Sequence, residues 1–336
     1  MDNPIATITT IAELEDCIGV AGTGVKMKVI DHVDSAAADW ISKSTLAFVG
    51  WQTSSGPNAT IAGGERGFAS VDGETSISIP LASLDHNEYL EVGRGAGVLF
   101  LVKGTGETLR ANGQIVGLTD THVSIGIEEC FVHCAKALKR SDFWQRSSSP
   151  PDQSAPDLMN QSRFLAYVTM NKEGGVDISP KGDPAGLLLR YEGDQALLPE
   201  RPGNRLAFGF RNLLEQPLIA ALALSPGQNA VVRFQGHAEI SLDENKRNAF
   251  TVDGKLPKLV TVITNCSLET YESQALQSSG SWSDETLAPE IDSAAALVAH
   301  VKLNKRKGVK ATLTKFAINR GLVQRGLDEN YKNELY

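Results

Sequence analysis

A mainly β fold is predicted by this sequence: two tandem β-barrel domains with flanking helices, facing one another as a pseudo-dimer. Length, strand-like patterning and a weak internal repeat carry that expectation. At 336 residues the chain exceeds one ordinary domain, and two units of about 150 residues are the natural division. A hydrophobic share of 41% lets each half bury its own core. The strand-like runs at 75–79, 98–102, 123–127, 164–170, 218–224 and 259–263 are short, rich in β-branched or apolar residues, and punctuated by Gly, Asn and Asp. Closure into small barrels is expected because it removes exposed strand edges. Helical patterns fall at 36–44, at 205–215 before Pro217, and from Ser293 onward.

The repeat is legible in order rather than in any single match. Glu107-Thr-Leu-Arg-Ala-Asn-Gly113 and Ala230-Val-Val-Arg-Phe-Gln-Gly236 alternate alike, with Arg110 and Arg233 in equivalent places. Residues 58–67 lie over 176–183, His133-Cys134 over Asn265-Cys266, and Trp144 over Trp282. Between the halves, Arg146-Ser-Ser-Ser-Pro-Pro-Asp-Gln-Ser-Ala-Pro156 reads as a semi-extended linker. These signals divide the chain into a first domain at 1–146 with an N-terminal helical segment, a linker at 147–156, a second domain at 157–290, and a basic helical tail at 291–336.

The halves have lost opposite things. Lys181, Arg201 and Arg205 of the second half lie over Gly63 or Gly64, Leu84 and Glu88 of the first. Lys136, Lys139 and Arg140 of the first half meet no basic counterpart after Cys266. Such complementary decay leaves one competent site out of two.

Glycine-containing loops let backbone amides approach an anion, and paired arginines hold phosphate oxygens in bidentate fashion. Ser179-Pro-Lys-Gly-Asp183 and Arg201-Pro-Gly-Asn-Arg205 therefore suit a phosphate. The competing reading is an exposed loop whose arginines pair with Asp183 or Glu200. Lys136 and Arg140 share a face if their segment is a short helix, either as a second cation set or as a solvated amphipathic turn. Cys130, His133 and Cys134 have metal-like spacing, yet no second Cys/His cluster completes four ligands, so small buried hydrophobes are the expectation there. No Gly-x-Ser-x-Gly elbow marks a hydrolase.

A formal net charge of -8 argues against general affinity for nucleic acid. Residues 302–325 nevertheless carry eight Lys and Arg without an acid, read as a solvated helix or an arm packed on the acidic body, with an anionic partner as the sharper option. Four cysteines are too few for a disulfide scaffold, no run of 18 apolar residues suggests a membrane span, and a cytoplasmic location is expected.

At these motifs the chain resembles the pyridoxamine 5'-phosphate oxidase-like family of FMN-binding split barrels. The likeness rests on Ser179 to Asp183, Arg201-Pro-Gly-Asn204, Gly106-Glu-Thr-Leu-Arg-Ala-Asn-Gly113 and His133 to Trp144, and spans roughly residues 30–285. In single-domain relatives all four motifs belong to one domain, in that order; here the first two stand in the second half and the last two in the first. The resemblance implies two split barrels with FMN at their interface, one pocket keeping the family's residues and the other impaired by Glu88. It implies cofactor contacts from Ser179, Lys181, Arg201, Asn204, Arg205 and Asn212, and from Lys136, Arg140 and Trp144 of the opposing half. His133 is the candidate for a catalytic proton. An FMN-dependent oxidoreductase follows, acting by hydride transfer on a small organic substrate, with NADH or NADPH as a possible donor, as a monomeric pseudo-dimer or a homodimer. A flavin- or haem-binding sensor, storage or regulatory protein is the alternative.

Overall fold

The computed structural model describes residues 7–147, 154–283 and 291–336. Its first sheet contains β2 (Leu46–Thr53), β3 (Gly56–Gly63), β4 (Ser70–Asp72), β5 (Ser76–Pro80), β6 (Gly95–Leu101), β7 (Thr108–Leu118) and β8 (His122–His133). The second contains β9 (Phe164–Met170), β10 (Val176–Gly182), β11 (Arg190–Glu192), β12 (Gln195–Pro199), β13 (Leu218–Leu224), β14 (Ala230–Ser241) and β15 (Val260–Glu272), with β1 (Thr7–Ile8) added beside β14. The orders are β3-β2-β6-β7-β8-β5-β4 and β10-β9-β13-β14-β15-β12-β11, the same path twice, antiparallel throughout. The protein is mainly β, as expected.

Neither ladder closes on itself, so closure is not what protects the edges. Strand β3 lies against β13 of the other sheet and β10 against β6, burying one edge of each sheet between the halves, while the short edge strands β4 and β11 stay at the surface. Phe48, Ile61 and Leu99 of the first half meet Phe164, Val168 and Leu222 of the second in one apolar layer. A Cβ on Gly50 would come within 2.7 Å of the Val168 methyls, so glycine permits the close approach of β2 to β9. Each sheet also encloses its own core, around Trp40, Trp51 and Phe100 in one half and around Tyr167, Phe234 and Ile263 in the other.

The helices are α1 (Ile11–Ile18), α2 (Thr23–Met27), α3 (Ser35–Lys43), α4 (Lys136–Arg140), α5 (Ala155–Gln161), α6 (Phe208–Glu215), α7 (Glu244–Asn248), α8 (Gln274–Ser279), α9 (Ser293–Leu303), α10 (Val309–Ala317) and α11 (Arg320–Asn333). Helix α3 matches the pattern at 36–44, and α6 is the helix expected before Pro217. The linker expected at 147–156 lies mostly outside the described residues, but its end is helical: Ser154 caps α5 and Pro156 sits in the first turn, where its missing N–H costs nothing.

The two ends of the chain cross over. Ile8, Leu14 and Ile18 pack into the core of the second half, although they precede the first. Helix α9 packs Ala296 on the core of the first half, and His300 Nε2 lies 3.2 Å from Asp34 Oδ1, the carboxylate that caps α3. Among the described residues no helix is long and apolar enough to cross a membrane.

Candidate functional site

The two halves can be compared residue by residue through one steric coincidence. A Cβ on Gly182 would lie 2.0 Å from Ala137 O, and a Cβ on Gly63 would lie 2.0 Å from Ala275 O. Helices α4 and α8 therefore press on the ends of β10 and β3 in the same way, and glycine is required at both places. Asp142 and Gly280, five residues after those carbonyls, share positive φ values of 46° and 56°. Trp144 falls over Trp282, as the sequence repeat placed it.

Two sequence equivalences are corrected by this frame. The counterpart of Lys181 is Ala62, one residue before Gly63, and the counterpart of His133 is Tyr271, since His133 pairs with Thr108 as Tyr271 pairs with Val231. Asn265-Cys266 lies six residues too early because the β14–β15 connection, 242–259, is much longer than the β7–β8 connection, 119–121. Arg110 and Arg233 do correspond: they pair with Leu99 on β6 and Leu222 on β13.

Between α4 of the first half and β10, β12 and the 200–210 loop of the second lies a cavity of about 380 Å³. His133, Lys136 and Arg140 line it from one side, and Ser179, Lys181, Arg201, Asn204 and Arg205 from the other. Eight of the ten residues named from sequence thus share one wall or another. Asn212 and Trp144 do not line it. Asn212 Nδ2 donates to Thr169 Oγ1 at 3.0 Å from within α6, while Trp144 Nε1 donates to Thr105 O at 2.8 Å with its ring edge-on to Phe143, 4.9 Å between centroids. Both are structural in this arrangement.

The cations are not equivalent. Arg201 is buried and spends all three nitrogens inside the second half, on Asp183 Oδ2 at 2.6 Å, Phe250 O at 2.8 Å and Leu187 O at 3.4 Å. Lys181 Nζ donates to Glu200 Oε2 at 2.6 Å. The pairing with Asp183 and Glu200 weighed from the sequence is therefore real, although Arg201 is not exposed. Asp183 is pushed above the ordinary carboxylate range by burial, against the pull of Arg201. Arg205 sits exposed at the rim in the left-handed region, φ 59°, with no ion pair among the described residues. On the opposite wall Lys136 and Arg140 are buried and their basicity is lowered, by burial first.

Behind this wall stands a polar cluster that joins the halves. Arg110 forms a buried ion pair with Asp177 and donates to Ser179 Oγ at 2.9 Å, while Asn112 Nδ2 lies 3.4 Å from the same Asp177 carboxylate. Ser179, expected to touch a cofactor, is engaged here. Arg110 and Asn112 stood inside a quoted motif, but nothing in the sequence named their shared partner, 67 and 65 residues away. Burial, then Arg110 and Lys28, hold the His133 imidazole neutral, well below its usual range. Lys28, which no motif marked, is buried 5.3 Å from the Phe131 ring centroid and burial lowers its ammonium to about 8.

The corresponding place in the other half is filled. Asp85, not Glu88, occupies it: its carboxylate accepts from Ser273 Oγ at 2.6 Å and from Ala275 N at 2.8 Å, capping α8. His86 stacks edge-on against Tyr271, with centroids 4.6 Å apart. Glu88 is exposed beside His86. Among the described residues no cluster of three or more His, Cys, Asp and Glu could hold a metal ion.

No family model matches the sequence, and no curated protein matches it. Solved structures similar to part of the chain include HupZ of Group A Streptococcus, 21% identical over 37% of this chain and 96% of that one, TM-score 0.30. An F420 reductase is 12% identical over 34% of this chain and 98% of its own, TM-score 0.27. HutZ, the haem storage protein from Vibrio cholerae, is 10% identical over 32% of this chain and 86% of its own, TM-score 0.23. Likeness of this degree says nothing of ligand or activity.

Proposed function

We infer that the cavity binds FMN and that the protein is an FMN-dependent oxidoreductase acting on a small organic substrate. The observation that carries this reading is a single concave site whose cations come from both halves, Lys136 and Arg140 facing Lys181 and Arg205, beside apolar wall supplied by Leu206, Phe208 and Phe210. Phosphate suits the cations and a flat ring suits the apolar wall, and a volume near 380 Å³ is of cofactor size. Bound flavin would supply hydride transfer at its ring.

The chain's own part is binding, orientation and exclusion of water. Arg140 and Lys136 would take phosphate oxygens, because their charge is not cancelled by a buried acid as that of Arg201 is. Arg201, fixed by Asp183 and Phe250 O, serves as rigid wall. His133 presents a neutral imidazole, with one N–H donor and one unprotonated ring nitrogen at neutral pH.

That same neutral imidazole favours a second reading, haem binding with His133 as axial ligand. Absorbance of purified, reconstituted protein separates the two. Flavin bands with about one FMN per chain are expected from one competent site. A Soret band that His133→Ala abolishes would replace flavin by haem.

A further inference from the structure

The end of α11 and the residues after it run into the cavity. Glu334 and Tyr336 line it, and Leu335 lies between them. Ala135 N donates to Tyr331 Oη at 3.0 Å, and Tyr331 Oη donates to Glu107 Oε1 at 2.8 Å, which pins α11 at the start of α4. From there Glu334 Oε2 reaches to 3.9 Å from Lys136 Nζ, Leu335 O accepts from Arg140 Nε at 2.6 Å, and Tyr336 O accepts from Lys255 Nζ at 3.0 Å. The Tyr336 ring lies between two guanidinium groups, with its centroid 5.6 Å from Arg140 and 5.3 Å from Arg201.

The contacts of Glu334, Leu335 and the Tyr336 carbonyl and ring with Lys136, Arg140, Arg201 and Lys255 are of the kind an anionic, ring-bearing ligand would make, while the Tyr331 and Tyr336 hydroxyls bond instead to Glu107 and Asp183. The acceptors are a carboxylate and two carbonyls; the donors are the cations that the second half's acids leave available. The ring fills the slot between Arg140 and Arg201 by cation–π contact, where a flat cofactor ring would gain the same attraction. Attachment is shallow: no residue of α11 is buried, Glu334 is exposed, and Leu335 and Tyr336 are half-buried. A segment without a fully buried residue can leave without disturbing a core.

We propose that residues 331–336 are an internal competitor of the cavity: Glu334, Leu335 and Tyr336 occupy the subsite formed by Lys136, Arg140, Arg201 and Lys255, and an anionic aromatic ligand binds by displacing them. The inference rests on the FMN reading for the ligand's identity but not for its class. Lys255 thereby becomes a binding residue. It stands in the long β14–β15 connection that the first half lacks, which is a second reason why the cavity occurs on one side. Competition lowers apparent affinity by the fraction of molecules whose site is open.

The test places 3-fluorotyrosine at position 336 in the 336-residue chain and follows its 19F resonance, alongside FMN affinity of the wild-type chain and of a Glu334→Ala/Tyr336→Ala variant. Expected are a shift of the resonance to its solvent-exposed position as FMN saturates, and affinity tighter in the variant by about fivefold or more. FMN that binds with Tyr336 unmoved, or that binds the variant no more tightly, overturns the proposal while leaving the FMN reading intact. If FMN does not bind, pyrophosphate is titrated instead: release of Tyr336 upholds an internal competitor and rejects FMN, and an unmoved resonance rejects both.

Discussion

The two places where a helix presses on the end of an edge strand show how one scaffold carries an open site and a closed one. Around α8 and Gly63 the amide of Ala275 is taken by Asp85, a carboxylate from the half that carries Gly63, and that of Leu276 by Ser273. Around α4 and Gly182 no side chain of the facing sheet does so, and the tyrosine of a distant helix reaches in. Backbone geometry is shared; the difference lies in a handful of side chains. An anion site is closed most economically by supplying the anion from within.

The buried Arg110–Asp177 pair breaks this symmetry most strongly. In the other half the equivalent Arg233 pairs with Glu269 of its own sheet and Asn58 stands in the place of Asp177, with Gln235 Nε2 reaching Asn58 Oδ1 at 3.5 Å and Pro57 O at 3.0 Å. Asp177→Ala leaves a guanidinium buried without its carboxylate and is expected to cost about 3–5 kcal/mol, against about 1 kcal/mol for Gln235→Ala, measured by urea unfolding. Equal losses would show that the pair is no more than an interface hydrogen bond.

Lys28 sharpens the contrast from the opposite direction. Its charge is disfavoured in the fold, so between about pH 8 and its ordinary value the unfolded chain binds more protons and stability rises with pH. Below about pH 8 the full penalty is present. Lys28→Met should therefore stabilise the protein by about 2 kcal/mol at pH 7. Thermal melts should show that gain shrinking as pH climbs toward 10.4, the ordinary lysine value.

Smaller effects separate the sites themselves. Arg140→Ala should weaken FMN binding by about tenfold, and Ser278→Ala, its counterpart beside the closed place, should not change it. Flavin fluorescence quenching decides between them. Removing the internal anion by Asp85→Ala should cost about 1 kcal/mol, the worth of a helix cap, and should leave FMN stoichiometry unchanged. A second bound flavin in that variant would mean that Asp85 alone closes the other site.

Strand patterning was legible because half-buried and fully buried strands impose their period on side chains: β9 and β13 match the expected runs to the residue. Barrel closure was not, since it was argued from the need to hide edges, and each half hides its long edge strand on the other and leaves only a three-residue strand at its second edge. Asn212 was carried into the site by its place near the arginine motif, yet a helix turns it toward Thr169. Trp144 was likewise placed by its motif and went to the interface layer instead.

By itself the sequence determined two β units in series, the positions of most strands, and cations divided between the halves in a complementary way, because each is written in local pattern or residue type. Tertiary structure decided what those cations are worth. Arg201 is spent on Asp183 and Phe250, while Arg140 and Lys136 face the cavity and meet the tail. Charge depends on a residue; available charge depends on its neighbours, and here those neighbours come from sequence positions up to about two hundred residues apart, such as Arg140 and Leu335.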